Sequence, residues 1–140
     1  MRSPLKATLL LLLASPLGLQ AGDTKLGTCE STVGPWEFIV QPGGRGLMTK
    51  EGAKYHVMWV ARVANATAGT TEAEGTAAEC TCQAAAQKLV WKCRVSFSLR
   101  PSEIGTEQTY EWGVDGDTLK SWYVGPDGKR SDGVGIRRPK

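Results

Sequence analysis

The stretch KLVWKCRVSFSLR, residues 88–100, decides the fold class of this chain. Apolar and polar residues alternate along its whole length. The face predicted to be buried carries Leu89, Trp91, Cys93, Val95, Phe97 and Leu99. Period-two alternation is typical of a half-buried β-strand, whereas a helix would scatter these residues around its circumference. We therefore predict a strand here with those six side chains in the core.

A second strand is predicted over residues 54–63. One face carries Tyr55, Val57, Trp59, Ala61 and Val63, and the other carries His56, Met58, Val60 and Arg62. Both faces are largely apolar, which suits a strand with the core on one side and a loop, partner or ligand on the other. Shorter strands are predicted over residues 36–40, 109–114 and 118–124.

The connections between these strands are rich in turn residues and contain no long amphipathic helix. Residues 114–117 (VDGD) and 125–128 (GPDG) predict tight turns. Residues 41–46 and 65–79 are small, polar or glycine-rich, and we interpret both as surface loops, the second with room for a short helix. Short strands joined by such turns predict an all-β fold, a small disulfide-stapled antiparallel β-barrel or sandwich.

Composition and the two ends of the chain define the predicted domain organisation. Of the 140 residues, 41% are hydrophobic, too many for a disordered chain. Residues 1–21 combine a basic start with the apolar run ATLLLLLA and predict a secretory signal peptide cleaved after Ala21, since a membrane span needs about 18 or more apolar residues. Residues 22–127 are predicted to form a single β domain, and residues 128–140 a basic, flexible tail.

The four cysteines, Cys29, Cys80, Cys82 and Cys93, predict two disulfides in a secreted chain. Cys80 and Cys82 are two residues apart and poorly placed to bond each other. We favour Cys82 with Cys93 and Cys29 with Cys80; the exchange of Cys80 and Cys82 is the main alternative. The spacing does not match a zinc site, so no metal is expected.

The residues that could carry catalysis do not form a recognised constellation. His56 is the sole histidine and lies in a predicted strand, and no nucleophile motif accompanies it. Glu107 with Glu111 is the carboxylate pair that an enzyme would use. We expect no enzymatic activity and no cofactor. Asn65 begins an N-x-T sequon and is a predicted glycosylation site in a eukaryotic secretory pathway.

Five tryptophans and three tyrosines are numerous for a chain of this size. Most are expected in the core, because aromatic side chains supply large buried areas. The rest could line a ligand cavity or a partner surface. We predict a binding site at His56, Met58, Arg62 and Trp122.

Short motifs in the middle of the chain resemble a known family. They are TCQA at 81–84, WKC at 91–93 and VSFSL at 95–99, with YHV at 55–57 upstream. In these motifs, over about half of its length, the chain resembles the small secreted fungal proteins typified by the major Alternaria allergen. The resemblance implies a secreted β-barrel without a catalytic centre that acts on a host as an effector or elicitor, or carries a small ligand, and that can dimerise.

The sequence thus predicts a secreted, extracellular, non-enzymatic binding protein. Its expected partner is a host protein or a small hydrophobic ligand, with no nucleic acid and no membrane span, and a homodimer is one possible assembly. Two alternatives stay open. The first is an inhibitor of secreted hydrolases that inserts loop 41–46 or loop 125–128 into a cleft. The second is a lipocalin-like carrier of a small ligand.

Overall fold

The computed structural model describes residues 26–39, 43–65 and 67–140, without the side chains of residues 63–65 and 71. Eight strands make up most of it, and the all-β prediction is confirmed. They are β1 (Gly34–Ile39), β2 (Gly44–Glu51), β3 (Lys54–Asn65), β4 (Thr70–Ala85), β5 (Lys88–Ser98), β6 (Glu107–Asp115), β7 (Thr118–Val124) and β8 (Val134–Arg137). The described chain also contains the short 3-10 helices Glu30–Thr32 and Pro101–Glu103.

The strands form a closed antiparallel barrel rather than a sandwich. Each strand pairs with its neighbours in sequence, and β8 pairs with both β7 and β1, which closes the barrel. Because side chains alternate along a strand, every second residue points into the barrel. The 3-10 helix Glu30–Thr32 and the Cys29–Cys82 disulfide lie at one end, which we call the lower end. The opposite, upper end carries the β1–β2, β3–β4, β5–β6 and β7–β8 connections.

Aromatic side chains fill the lower half of the barrel. Trp91, only 2% exposed, packs edge-on against Tyr55 and, in a tilted arrangement, against Trp112, with ring centroids 5.2 and 5.4 Å away. Trp36 adds an edge contact to Trp112 and donates its Nε1–H to the carbonyl of Thr32 at 2.7 Å. Trp91 Nε1 is buried without an acceptor in the described part of the chain. Trp→Ala substitutions in protein cores typically cost about 3–5 kcal/mol of stability, which estimates what burial of an indole contributes. This contribution exceeds the roughly 1–3 kcal/mol that a buried donor without an acceptor costs.

The alternation along β5 reverses near its end, contrary to the sequence prediction. Leu89, Trp91, Cys93 and Val95 are buried as predicted, but Phe97 and Leu99 are about half exposed. The cause is a β-bulge, because Ala78 pairs with Val95 and Ala77 with Phe97, which leaves Ser96 as an extra residue. A bulge moves all later side chains to the opposite face.

Two strands lie where loops were predicted. The 65–79 segment belongs mostly to β4, the longest strand of the described chain, and residues 44–46 begin β2. The inward positions of β4 hold small or polar residues such as Thr76 and Ala78. Without large apolar side chains this strand has no visible alternation, although its backbone pairs with β3 from residue 70 to residue 80.

The disulfides follow the alternative pairing, and the favoured one is wrong. The structure joins Cys80 to Cys93 and Cys29 to Cys82. The β4–β5 hairpin turns at Ala86 and Gln87, and this register places Cys80 directly opposite Cys93. Cys82 lies two residues closer to the lower end, where the segment that carries Cys29 passes.

The C-terminal segment, predicted from its composition to be a flexible tail, contains the last strand of the barrel. Residues 134–137 form β8, in which Ile136 is 2% exposed and pairs with Phe38. Arg138 follows it and donates hydrogen bonds to the carbonyls of Ser31, Val33 and Pro35. These pairings close the barrel, and Arg130, Arg137 and Arg138 of this segment all bind groups on other elements.

Two predictions fall outside the described residues. The signal peptide over residues 1–21 lies entirely in the part that the structure does not describe. The glycosylation site is only partly described, because the backbone of Asn65 ends β3 but its side chain is not described. Both stay predictions from the sequence.

Candidate functional site: a cavity in the upper half of the barrel

A cavity of about 290 Å³ lies inside the barrel, above the aromatic cluster that fills the lower half. Nearly all of its surface is apolar. The apolar and aromatic residues that line it are Phe38, Met48, Val57, Trp59, Ala61, Ala78, Trp91, Tyr110, Trp112, Tyr123 and Val134, together with the Cys80–Cys93 disulfide. The cavity is open at the upper end, where Tyr123 is 40% exposed.

The cavity exists because small inward-facing residues alternate with large ones around the barrel. Ala61 of β3 and Thr76 and Ala78 of β4 stand where a leucine or phenylalanine would fill the space. An eight-stranded barrel has an interior that side chains can just fill, so small side chains at several positions leave room for one small ligand. The strand that showed no hydrophobic pattern in the sequence is therefore the one that opens the cavity.

Aromatic pairs border the open end of the cavity. The rings of Tyr110 and Tyr123 meet edge-on with centroids 5.6 Å apart, and Phe38 meets Trp59 edge-on at 6.1 Å. Tyr110 donates its hydroxyl proton to Gln108 Oε1 at 2.6 Å. Burial, reinforced by Tyr123 and Glu103, raises the pKa of Tyr110 to about 12, so the phenol is neutral at ordinary pH.

Few polar groups of the described chain face the cavity, and none of these is cationic. The polar lining residues in the described chain are Glu74, Thr76, Gln108, Ser121, Ser131 and Asp132. Glu74 forms an ion pair with Arg100, which balances its charge. An anionic ligand would therefore enter a poorly solvated space without a counter-charge from any described lining residue, which is unfavourable. Asp132, the other carboxylate of the described lining, is exposed to solvent, so the lining as a whole matches a neutral, mostly apolar molecule.

The structure places the four sequence-predicted site residues on the outer surface of the barrel and does not bring them together. His56, Met58 and Arg62 follow one another along the outside of β3, and His56 Nε2 lies 3.5 Å from the carboxylate of Glu51. Trp122 lies on the outside of β7, beneath the guanidinium of Arg130 at 4.3 Å from its ring centroid. None of them lines the cavity.

The carboxylates considered for catalysis lie outside the barrel and are engaged in ion pairs. Glu107 pairs with Arg94 at 3.5 Å. Burial opposes the ionisation of Glu111, but hydrogen bonds from Lys88 and Arg130 outweigh it and lower the pKa of that carboxyl. Glu111 is therefore a fixed anion rather than a proton donor. In residues 26–39, 43–65 and 67–140, no three His, Cys, Asp or Glu side chains lie close enough together to hold a metal ion.

The inner face of β3 is the part of the cavity that the sequence could have revealed. Val57, Trp59 and Ala61 were predicted on one face of this strand, and all three line the cavity. The prediction assigned them to the core and placed the ligand on the opposite face. A signal was present in the run TAAECTC, residues 76–82, because alternate small residues in a strand leave unfilled volume beside the larger residues of its neighbours.

Within the described residues, no helix is long and apolar enough to cross a membrane. Comparisons of the chain with protein-family models, with curated proteins and with solved structures give no match. The cavity and its lining therefore carry the functional argument.

Proposed function

We propose that this protein is a secreted, non-enzymatic carrier that binds one small, neutral, mostly apolar molecule inside its barrel. The observation that carries the proposal is the apolar cavity, open at one end and bordered by two aromatic pairs. Of the functions considered from the sequence, the small-ligand carrier is the one that this geometry supports best. Two disulfides support the secreted location, because such bonds persist in oxidising compartments.

The cavity volume sets the size of the ligand. At about 290 Å³ it lies at the lower end of the range for small-molecule sites, and it is roughly twice the engineered cavity that holds benzene. A two-ring system of about a dozen non-hydrogen atoms fits inside, and further atoms can project through the open end. At roughly 0.4 kcal/mol per atom, a ligand of 17 such atoms binds with a Kd of about 10 µM.

The proposal is tested with a matched pair of fluorescent probes that differ by one charge. N-phenyl-1-naphthylamine is neutral and has the size just derived, and 1-anilinonaphthalene-8-sulfonate adds an anionic group to the same skeleton. Titration of the oxidised protein with each probe measures the increase in probe emission. We expect the neutral probe to bind at least tenfold more tightly, because no cation lines the described cavity wall.

Two tryptophan substitutions locate the bound probe. Ala61→Trp places an indole in the open part of the cavity, and Ala73→Trp places the same side chain on the exposed outer face of β4. The Ala61 variant should lose at least tenfold in affinity for the neutral probe, and the Ala73 variant should bind like the wild type. Equal affinities in all three proteins, or no binding to the wild type, would contradict the proposed function.

A further inference from the structure

Apolar side chains form two adjacent rows on the outside of β2–β5. The first row crosses four paired strands and consists of Leu47, Met58, Ala77 and Phe97. In the second row, Val60 and Leu99 lie on either side of Gly75, where an added Cβ would be 3.4 and 3.6 Å from their side chains. We call this surface the outer patch. It consists of Leu47, Met58, Val60, Gly75, Ala77, Phe97 and Leu99.

The outer patch is unusual in its exposure and its continuity. Its five large side chains are each 46–56% exposed. Single exposed apolar residues are ordinary, but a contiguous apolar patch on a protein surface marks an interaction site. The β-bulge at Ser96 contributes to it directly, because it turns Phe97 and Leu99 outward.

The outer patch offers a partner no hydrogen bonds. Its side chains contain no nitrogen or oxygen atoms, and the backbones of β3 and β4 beneath it pair with the strands on both sides. An interface between proteins carries about one hydrogen bond per 100–200 Å². The hydrocarbon region of a bilayer forms none. The composition of the patch therefore fits lipid better than the surface of another protein.

The charges at the patch that lack a partner are positive. Arg45 is level with Val60 in the second row, and Arg62 follows Val60 on the outer face of β3. Neither arginine has an ion-pair partner in the described chain. An arginine inside an apolar row can lay its stem along the apolar surface while its guanidinium reaches a polar layer beyond.

The carboxylates beside the patch are already held by cations of this chain. Glu79, below the first row, accepts a hydrogen bond from Lys54 at 2.6 Å. Glu37 is paired with Arg45 across β1 and β2, but its carboxylate accepts from Arg137 at 3.1 Å. The patch therefore presents two unbalanced positive charges, which complement an anionic surface.

We propose that the outer patch docks on the surface of an anionic lipid bilayer. The five large side chains of the patch enter the boundary between headgroups and acyl chains. The guanidinium groups of Arg45 and Arg62 bind the lipid phosphates beside them. Reversible attachment to a membrane surface draws on this combination of buried apolar area and attraction between cations and anionic lipids.

The outer patch lies next to the cavity. Gly75 and Leu99 of the patch and Trp59 and Thr76 of the cavity line a common recess of about 50 Å³. Docking therefore brings the open upper end of the barrel close to the lipid. A carrier docked in this way exchanges an apolar ligand directly with the bilayer. This exchange rests on the proposed function, whereas the docking itself does not.

Flotation with lipid vesicles measures the docking. The wild type should float with vesicles of phosphatidylcholine that contain about one-fifth phosphatidylserine. Met58→Glu should weaken vesicle binding at least tenfold, because its charge would have to enter an apolar layer. Val114→Glu is the matched control, since Val114 is 42% exposed on β6, away from the patch, and its variant should float like the wild type. Unchanged urea midpoints show that both variants are folded.

Removal of the two arginine charges tests the preference for anionic lipid. R45Q/R62Q should bind the same vesicles roughly 25-fold more weakly, at about fivefold for each cation near an anionic surface. K129Q/K140Q removes the same charge from the segment around β8, across the barrel from the patch, and should lose less than about threefold. Equal losses in the two double variants, or equal binding of the wild type to vesicles of phosphatidylcholine alone, would overturn the assignment of Arg45 and Arg62 to lipid phosphates.

Loading of the protein from vesicles tests the exchange. When N-phenyl-1-naphthylamine is supplied in the anionic vesicles, its arrival in the cavity quenches the emission of the cavity tryptophans by energy transfer. The loading rate of the wild type should rise with vesicle concentration, because transfer requires contact. Met58→Glu should load at a rate independent of vesicle concentration while keeping the wild-type affinity for the probe in solution. Ala61→Trp should float normally and fail to load.

The outcomes separate the two steps. A wild type that does not float, or a Met58→Glu variant that floats like it, overturns the docking. A wild-type protein that floats but loads at a rate independent of vesicle concentration overturns the exchange alone. Floating protein that binds no probe contradicts the proposed function and leaves the docking supported. A wild type that does not float and instead sediments as a dimer, lost in Met58→Glu, would overturn the lipid surface and assign the patch to a protein.

Discussion

Replacement of Arg138 by alanine should cost the fold about 2 kcal/mol, because this side chain fastens the C-terminal end to the beginning of the barrel. Its guanidinium donates to the carbonyl of Ser31 at 2.6 Å, of Pro35 at 2.9 Å and of Val33 at 3.0 Å, and it lies 4.1 Å from the ring centroid of Trp36. The residue is exposed, so each hydrogen bond is counted at about 0.5 kcal/mol, at the low end for such bonds. The cation–π contact adds about 0.5 kcal/mol.

Urea unfolding, followed by tryptophan fluorescence, measures this loss. With a denaturant slope of about 1.5 kcal/mol/M, typical of a small domain, the midpoint should fall by about 1.3 M. Arg138→Lys should show more than half of the same decrease, because an ammonium group cannot reach three carbonyls in the way that the planar fork does.

Arg137→Ala is the matched control for this prediction. Arg137 is the neighbouring residue and carries the same charge, but it makes a single exposed ion pair with Glu37 at 3.1 Å. Its removal should shift the midpoint by no more than about 0.3 M. If Arg138→Ala unfolds at the wild-type midpoint, or if both variants lose the same stability, then Arg138 does not hold the C-terminal end to the beginning of the barrel.

Three further predictions follow from the core, the disulfides and the buried tyrosine. Val95→Ala should destabilise the fold by about 2 kcal/mol and Phe97→Ser by less than about 1 kcal/mol in the same urea assay, because the bulge buries the first side chain and exposes the second; the reverse order would contradict the bulge. The Cys29–Cys82 disulfide joins residues 53 positions apart, and its removal by a paired Cys→Ala substitution should cost about 4 kcal/mol of unfolding free energy. The Cys80–Cys93 disulfide joins residues 13 positions apart, and its removal should cost about 3 kcal/mol. Variants that are as stable as the wild type would show that the bonds do not form. Burial raises the pKa of Tyr110 to about 12, so the stability that its neutral phenol contributes should be fully present below pH 10 and should be lost as the pH rises from 10 to 12. The absorbance at 295 nm should show the ionisation of Tyr110 well above pH 10; the absence of any ionisation above pH 10 would exclude a buried Tyr110.

The strands with large alternating side chains could be predicted from the sequence. Residues 118–124 were predicted as a strand and form β7, and β3, β5 and β6 agree with their predicted positions to within a few residues. In these segments the side chains that fill the barrel interior are also the ones that give the sequence its period of two. Trp91 and Leu89 were thus assigned to the core correctly.

Strand β1 also agrees with its predicted position, whereas β2, β4 and β8 were not predicted, for physical reasons that differ from strand to strand. β4 faces a cavity, so no large apolar side chains mark its inner face, and β8 has only Val134 and Ile136 as large apolar residues between charged and glycine positions. The disulfide pairing depended on the register of the β4–β5 hairpin. Its turn at Ala86 and Gln87 contains no glycine or proline, so the sequence does not indicate where the hairpin turns, although Gln87 adopts a positive φ of 58°.

The candidate site, like the strands, was predictable only in part. The inner residues of β3 were predicted to share a face, but the volume beside them also depends on small residues of β4, which come next to them only when the strands are paired. Met58, predicted on the less buried face of its strand as part of a partner or ligand surface, lies on the exposed outer surface of β3. A single strand can therefore indicate which residues lie together, but not whether the space between strands is filled.

The most direct test of a ligand site inside the barrel uses the protein's own tryptophans. In the ¹H–¹⁵N spectrum each indole N–H gives one signal, which can be assigned by Trp→Phe substitution. Saturation with N-phenyl-1-naphthylamine should shift the signals of Trp59, Trp91 and Trp112, which line the cavity, and leave that of Trp122, on the outer surface, unchanged. A shift of Trp122 without any change at Trp59 and Trp91 would place the binding site outside the barrel and contradict the account.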